Sequence, residues 1–192
     1  MEAVQNQPQV RVVGLLDNGP SLLVQVDPLA PGQGLVANAQ VAAAGALGTV
    51  YTTAPMQLGT VVTGVDSLDN FAEFIMLKGV PNTIVGSVVT YDETGATTLL
   101  AANAVGPVAV ALAINNLTTT YAWYGITGTF PTDVVANCAD NAKLGRETTD
   151  GKVGDGYAAG DAITGAVSRA ATTAAAVVNC QFYRPSVNDA SA

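Results

Sequence analysis

The stretch "GPVAVALAIN", residues 106–115, decides how the chain folds, because bulky and small apolar side chains alternate along it. The bulky ones are Val108, Val110, Leu112 and Ile114, and the small ones are Ala109, Ala111 and Ala113. A period of two residues is that of a β-strand, and a strand with one face in water would carry polar residues on that face. We therefore predict a strand that is covered on both faces, either by a second layer of its own chain or by another chain.

The rest of the chain from about Gly48 onward consists of short β-type runs separated by Gly, Asn, Asp and Pro. Strands and helices do not alternate in a sustained way, which favours an all-β class. We predict a β-sandwich or barrel-like domain over residues 49–192. One segment stays open: in "SLDNFAEFIMLKG", residues 67–79, Ser67 and Gly79 suit the two ends of a helix, whereas "EFIMLKG" suits a strand.

Residues 1–48 differ from the remainder in composition. Proline recurs at positions 8, 20, 28 and 31, and the apolar pieces between the prolines are short. Proline at this spacing favours extended chain over helix or central strand. We predict an extended N-terminal arm with one or two short strands that pair with a neighbouring subunit or another protein. The candidate contact residues in the arm are Val10, Val12, Leu22 and Val24.

The charge balance limits the partners. The chain has 7 Lys and Arg against 15 Asp and Glu, a net charge of −8, and the seven cations are scattered singly. Nucleic acids and anionic membranes require a basic surface, so neither is an expected partner. Charged residues make up only 11% of the chain, against about 25% in typical soluble domains. Such a neutral surface predicts that neighbouring subunits cover much of it.

Residues that carry common catalytic chemistry are few. The sequence has no histidine, which removes the commonest general base and zinc ligand. The loops "GRETTDGKV", residues 145–153, and "GDGYAAGD", residues 154–161, lack the spacing of a phosphate-binding loop and of an EF-hand. We expect no catalytic residue, metal or cofactor, and we expect Cys138 and Cys180 to be buried reduced thiols. The start "MEAVQNQPQV" lacks signal-peptide features, so we expect synthesis in the cytoplasm.

Aromatic residues concentrate in "TYAWYGITGTF", residues 120–130. Strand alternation places Tyr121 and Trp123 on one face and Ala122, Tyr124 and Ile126 on the other. Tryptophan on a strand is usually part of the core, but Trp and Tyr are also favoured anchors of interfaces. Burial in the core is therefore the favoured interpretation of this face, and Tyr121 and Trp123 are candidate interface residues as the alternative.

The order of the segments resembles a known group of proteins. These segments are "AEFIMLKGV", "VGSVVTYDETG", "GPVAVALA", "YAWYGITG", an Ala/Asn/Asp-rich hairpin region with "GKV", and "GAVSRAATTAAAVVNCQFYRP". Over residues 58–187 they look like small tailed-phage virion proteins similar to head decoration, or cement, proteins. The resemblance implies a virion structural protein on the outside of an icosahedral capsid, where it binds the major capsid protein and bridges capsomers. The low surface charge and the symmetry that closed assemblies prefer predict a homotrimer at three-fold or quasi-three-fold positions, and the resemblance supports this prediction.

Two other classes of function remain open. The first is a binding module of a phage tail, fibre base or spike, which an exposed aromatic patch around Trp123 would favour. The second is a hydrolase that uses acidic residues alone.

Overall fold

A computed structural model of the chain describes residues 10–11, 24–25, 47–65 and 70–188. Within these ranges the chain is all-β and contains no helix, which confirms the predicted fold class. The strands are β1 (Val10–Arg11), β2 (Val24–Gln25), β3 (Val61–Val65), β4 (Phe71–Lys78), β5 (Val88–Tyr91), β6 (Thr97–Leu99), β7 (Val105–Ala111), β8 (Tyr121–Val134), β9 (Lys143–Arg146), β10 (Val153–Gly154), β11 (Ala162–Ser168) and β12 (Ala176–Asn188).

Strands β3 to β12 form one sheet of ten strands in the order β3-β4-β8-β10-β9-β11-β12-β7-β5-β6. The long strand β8 also pairs with β12, so the pairings β8–β12–β11–β9–β10–β8 close a ring. In this ring only β10 and β8 run parallel, through Val153 and Val134. A closed ring of strands is a barrel, which agrees with the barrel-like alternative of the prediction.

The other part of the sheet, β4-β8-β7-β5-β6, also curls back on itself. The amide of Lys78, at the end of β4, donates to the carbonyl of Gly95 at 2.9 Å, just before β6. The hydroxyl of Thr97 in β6 donates to the carbonyl of Lys78 at 2.9 Å. Strand β7 lies between β5 and β8 in this curl, and Val110 pairs with Val88 on one edge and with Gly125 on the other.

Two apolar cores lie on opposite faces of the sheet, and strands β4, β5, β7 and β8 contribute side chains to both. The large core contains Val62, Ala72, Phe74, Met76, Val88, Leu100, Val108, Val110, Trp123, Phe130, Val134, Cys138, Leu144, Val153, Ile163, Ala166, Cys180, Phe182 and Val187. The second, which we call the alanine core, contains Ile75, Leu77, Val89, Ala109, Ala111, Ala113, Ala122, Tyr124 and Ile126.

The two-sided cover predicted for β7 is confirmed, and the cover comes from the chain itself. Val108 and Val110 enter the large core, whereas Ala109, Ala111 and Ala113 enter the alanine core. Small side chains suit this inner face because a sheet of few strands that curls tightly leaves little room inside. The strand ends at Ala111, before the predicted end at residue 115, and Ile114 is exposed.

In the described part of the open segment, residues 70–79, the chain forms strand β4 and not a helix. Ala72, Phe74 and Met76 enter the large core, and Ile75 and Leu77 enter the alanine core. A strand buried on both faces has an almost continuous apolar sequence, which periodicity alone does not distinguish from a buried helix. Ser67, the predicted helix cap, lies outside the described residues.

The two strands of the N-terminal region pair with each other. Val10 lies opposite Gln25 and Arg11 lies opposite Val24, in an antiparallel arrangement. Val12 and Leu22, two of the four arm residues predicted to make contacts, lie outside the described residues. The boundary between arm and domain at residues 48 and 49 stays a prediction.

Candidate interaction surface

Trp123 is fully buried in the large core, so it is a core residue and its interpretation as an interface anchor is wrong. Tyr121 is partly buried against the same core, and its backbone exchanges two hydrogen bonds with that of Tyr51, at 2.8 and 2.9 Å. The predicted alternation in this segment is confirmed, because Ala122, Tyr124 and Ile126 enter the alanine core. Tyr121 stays a predicted interface residue, whereas Trp123 itself offers no surface to a partner.

The outward side of β8 and β12 is one candidate. On β12, Cys180 and Phe182 point into the large core, so the alternate residues point outward. These outward residues lie directly opposite outward residues of β8. The β8–β12 outer face consists of Val177, Asn179, Gln181 and Tyr183 from β12 and of Thr127, Thr129, Pro131 and Asp133 from β8.

This outer face is almost without charge. Asp133 is its only ionisable carboxylate, and Lys152 binds that carboxylate at 3.0 Å. Arg169 lies at the margin, where its Nε donates to the side-chain oxygen of Gln181 at 2.9 Å. The face therefore presents methyl groups, hydroxyls, amides and one aromatic ring, which lose less hydration free energy than charges when a partner covers them.

An ion pair anchors one end of the outer face. Glu73 in β4 lies opposite Thr127, which in turn lies opposite Tyr183. The Glu73 carboxylate accepts from Arg184 Nη2 at 2.6 Å, from Arg184 Nε at 2.9 Å and from the Thr127 hydroxyl at 2.6 Å. The hydrogen bonds from Arg184 are the largest cause that lowers the pKa of Glu73 below its ordinary value. The buried carboxylate therefore stays ionised and ties β4 to β12 across β8.

Two aromatic rings flank this ion pair in the open. Tyr183 is 76% exposed and Phe71 is 56% exposed. Their sequence neighbours Phe182 and Ala72 point into the large core, so Tyr183 and Phe71 lie on the same outward side as Glu73. We call Phe71, Glu73, Thr127, Tyr183 and Arg184 the Tyr183 patch. Exposed aromatic rings and arginine are the side chains most enriched at the energetic centres of protein interfaces.

Sequence reasoning missed the Tyr183 patch for identifiable reasons. Glu73 and Arg184 are 111 positions apart, and no local pattern indicates that they meet. Phe71 lies in the segment whose secondary structure was left open. Tyr183 did carry a signal, because the alternation of Cys180 and Phe182 with polar neighbours predicts which side chains of that strand point outward.

The two cysteines belong to the core, and the two acidic loops connect strands. Cys138 and Cys180 are free and buried in the large core. Burial raises the pKa of both thiols, that of Cys180 to about 11, so both stay protonated and unreactive at neutral pH. The two loops at residues 145–161 connect β9, β10 and β11, and Asp161 forms a salt bridge with Arg146 at 2.8 Å.

Within the part of the chain that the structure describes, no three His, Cys, Asp or Glu side chains are grouped so as to hold a metal ion. The same residues include no helix that is long and apolar enough to cross a membrane. Comparisons of this chain with protein-family models, with curated proteins and with solved structures find no match. The fold and its surfaces are therefore the basis for a functional proposal.

Proposed function

We propose that the chain is a virion structural protein, a head decoration or cement protein. It binds the outer surface of an icosahedral capsid through the Tyr183 patch and the β8–β12 outer face and stabilises the shell by bridging capsomers. The observation that carries this proposal is the outer face itself, which takes eight residues from β8 and β12, contains a single charged residue, Asp133, and ends in two exposed aromatic rings. The resemblance of residues 58–187 to small tailed-phage virion proteins supports the same function.

The charge distribution supports a position outside the shell. The net charge of −8 would repel packaged DNA on the inside of a capsid. A contact made by Tyr183, Phe71 and amide side chains depends little on salt, because screening acts mainly on interactions between charges. Such a contact suits a particle that meets solutions of different ionic strength.

We further propose that the protein occupies three-fold or quasi-three-fold positions as a homotrimer. Closed cyclic symmetry is the usual form of soluble assemblies, and three-fold axes are places where capsomers meet. Each copy then needs only a modest contact with the major capsid protein, since many copies act together on one particle.

The test is a binding assay on heads assembled without this protein. We expect the double variant Phe71→Ala/Tyr183→Ala to bind such heads at least about tenfold more weakly than the native chain, which corresponds to ~1.4 kcal/mol. Leu117→Ala is the matched control. Leu117 has the same exposed fraction as Phe71, 56%, but it lies in the loop after β7, near the Lys78 end of β4, whereas Phe71 lies at the opposite end of that strand. Equal binding by the double variant and the native chain would remove the Tyr183 patch from the proposal.

A second function is favoured by one feature of the same patch. Tyr183 lies beside Arg184 and two positions from Gln181, and such a ring with polar neighbours also suits a receptor-binding module of a tail, fibre base or spike. The copy number per particle distinguishes the two functions. A shell protein is present in hundreds of copies, and a tail or spike protein in a dozen or fewer.

A further inference from the structure

Strand β3 is the end strand of the ten-stranded sheet, and among the described residues it pairs with β4 alone. The amide of Met76 donates to the carbonyl of Thr60 at 3.1 Å. Hydrogen-bonded pairs recur at every second residue of an antiparallel ladder, so the backbone groups of Val62 and Gly64 point to β4. The amides and carbonyls of Val61, Thr63 and Val65 therefore point to the open edge.

Among the residues that the structure describes, this edge shows none of the features by which proteins usually prevent strand pairing. Residues 60–65 read "TVVTGV" and contain no charge and no proline. Native edge strands are commonly protected by lysine, by proline or by a covering segment, and an unprotected strand rich in Val and Thr pairs readily with another strand. Val61, one of the residues whose backbone groups point to this edge, is 37% exposed. The edge of β3 is thus suited to accept one more strand.

We propose that the β1–β2 hairpin of a neighbouring copy of the chain adds to the open edge of β3. This inference goes beyond the proposed function, because the exchange joins copies of the chain to one another and needs no capsid. A hairpin of two short strands is marginal by itself and gains stability when it joins a larger sheet. Within the described residues of one chain, β1 and β2 pair only with each other, so their outer edges are available.

The covalent connection is long enough for the exchange. Residues 26–46 join β2 to the domain and can span at most roughly 70 Å, at about 3.3 Å per residue. A folded domain of about 140 residues has a radius of gyration of only about 14 Å. The hairpin of one copy can therefore reach β3 of the next copy across the full width of a domain. Strand addition uses main-chain hydrogen bonds, and in a closed array every copy both donates a hairpin and accepts one.

The main test uses the full chain without capsids. Thr63→Pro removes an amide that points to the open edge, while the hydrogen bonds between β3 and β4 remain. Thr63→Ala is the matched control, because it shortens the same side chain and keeps the amide. In sedimentation velocity we expect the native chain and Thr63→Ala to associate as concentration rises, and Thr63→Pro to remain a monomer. Association of Thr63→Pro equal to that of the native chain, or a native chain that stays monomeric throughout, would overturn the proposal.

A second variant covers the case in which Thr63→Pro does not fold, as circular dichroism would reveal. Val61→Lys keeps the backbone intact and places a charge at the edge, which disfavours pairing with another strand. We expect it to lose association while its strand signal is unchanged. If Val61→Lys associated as the native chain does, the open edge of β3 would not be the site of association, and the proposal would be overturned.

Hydrogen exchange identifies the segment that occupies the edge. In the native chain we expect the amides of β1, β2 and Thr63 to become protected together as concentration rises, and the β1 and β2 amides of Thr63→Pro to gain no such protection. If the Thr63 amide became protected while the β1 and β2 amides did not change, a strand other than the hairpin would occupy the edge. If the amides of β1, β2 and Thr63 were protected to the same degree at every concentration, the pairing would occur within one chain. Either result overturns the proposal. Because no capsid is present, neither result affects the proposed binding through the Tyr183 patch.

Discussion

Glu73 and Arg184, 111 positions apart in the chain, form a two-point ion pair that spans β8 between β4 and β12. The carboxylate is buried, whereas the arginine side chain is 65% exposed. Arg184 has a positive φ of 40°, which is unusual for a residue other than glycine, and β12 leaves β8 for β7 just after it. The ion pair thus lies at the bend that follows Tyr183, which is the most exposed large apolar residue among those that the structure describes.

The first prediction concerns this ion pair. Glu73→Gln is expected to lower the free energy of unfolding by about 1–2 kcal/mol, because hydrogen bonds to a charged group are lost and solvent screens the exposed arginine. Chemical denaturation of the native and variant chains measures the difference. Glu93→Gln is the control, since Glu93 is an exposed carboxylate and its change should stay within about 0.5 kcal/mol. A Glu73→Gln chain as stable as the Glu93→Gln chain would show that the pair does not hold the fold.

The second prediction is the pH dependence of the difference in unfolding free energy between the native chain and Glu73→Gln. The pKa of Glu73 is lowered in the folded chain from its ordinary value of 4.5, chiefly by the hydrogen bonds from Arg184. A carboxyl group with a lowered pKa stabilises the folded state above its unfolded pKa, and that contribution is lost as the pH falls through the folded pKa. The stability difference between the native chain and Glu73→Gln should therefore be full at pH 7 and shrink below pH 4.5. A difference that grows on acidification would contradict the assignment.

The third prediction tests the alanine core. Ala111→Leu is expected to destabilise the fold by about 1–3 kcal/mol, because the inner face of the curled sheet has no room for a larger side chain. Ala174→Leu changes an exposed alanine in the connection to β12 and serves as the control. Thermal unfolding of both variants measures the effect. If Ala111→Leu were as stable as the native chain, the alanine face would not be closely packed.

The fourth prediction concerns the thiols. Burial raises the pKa of Cys180 to about 11 and also raises that of Cys138, so neither thiol should react with an aromatic disulfide reagent at pH 8 in the folded chain. After unfolding in denaturant without reductant, two thiols per chain should react. Two reactive thiols before unfolding would place the cysteines at the surface, and none after unfolding would indicate a disulfide.

The fifth prediction concerns the N-terminal arm. A chain without residues 1–30 is expected to remain folded, with the circular dichroism of strands, because the described residues of both cores lie beyond this segment. Its retention on heads that lack the native protein should fall sharply, since the avidity of a linked array is lost. If the shortened chain were retained as well as the full chain, the arm would not contribute to attachment, and the Tyr183 patch alone would account for binding.

The sequence predicted those parts of the fold that follow a strict local period. The alternation in residues 106–115 predicts β7 and its two covered faces, and the alternation around Trp123 assigns each side chain to the correct face. It did not decide whether Trp123 belongs to core or interface, because the period gives two faces and does not say which is covered. The structure resolves this by placing Trp123 in the large core.

The features that the sequence did not predict depend on contacts between residues that are distant in the chain. Strand β4 is buried on both faces and so lacks the polar alternation that separates a strand from a helix. The Tyr183 patch requires three strands to come together in one register, and only the fold brings Glu73, Thr127 and Tyr183 into a row. A local pattern carries no information about such a register.

The copy number and position of the protein on purified virions test the central claim most directly. A reconstruction of the particle, combined with quantitative mass spectrometry against the major capsid protein, gives both values. A decoration protein predicts hundreds of copies on the outer surface at three-fold or quasi-three-fold positions, with Tyr183 directed at the capsid. A dozen or fewer copies confined to the tail, or density at two-fold positions alone, would contradict the proposed function.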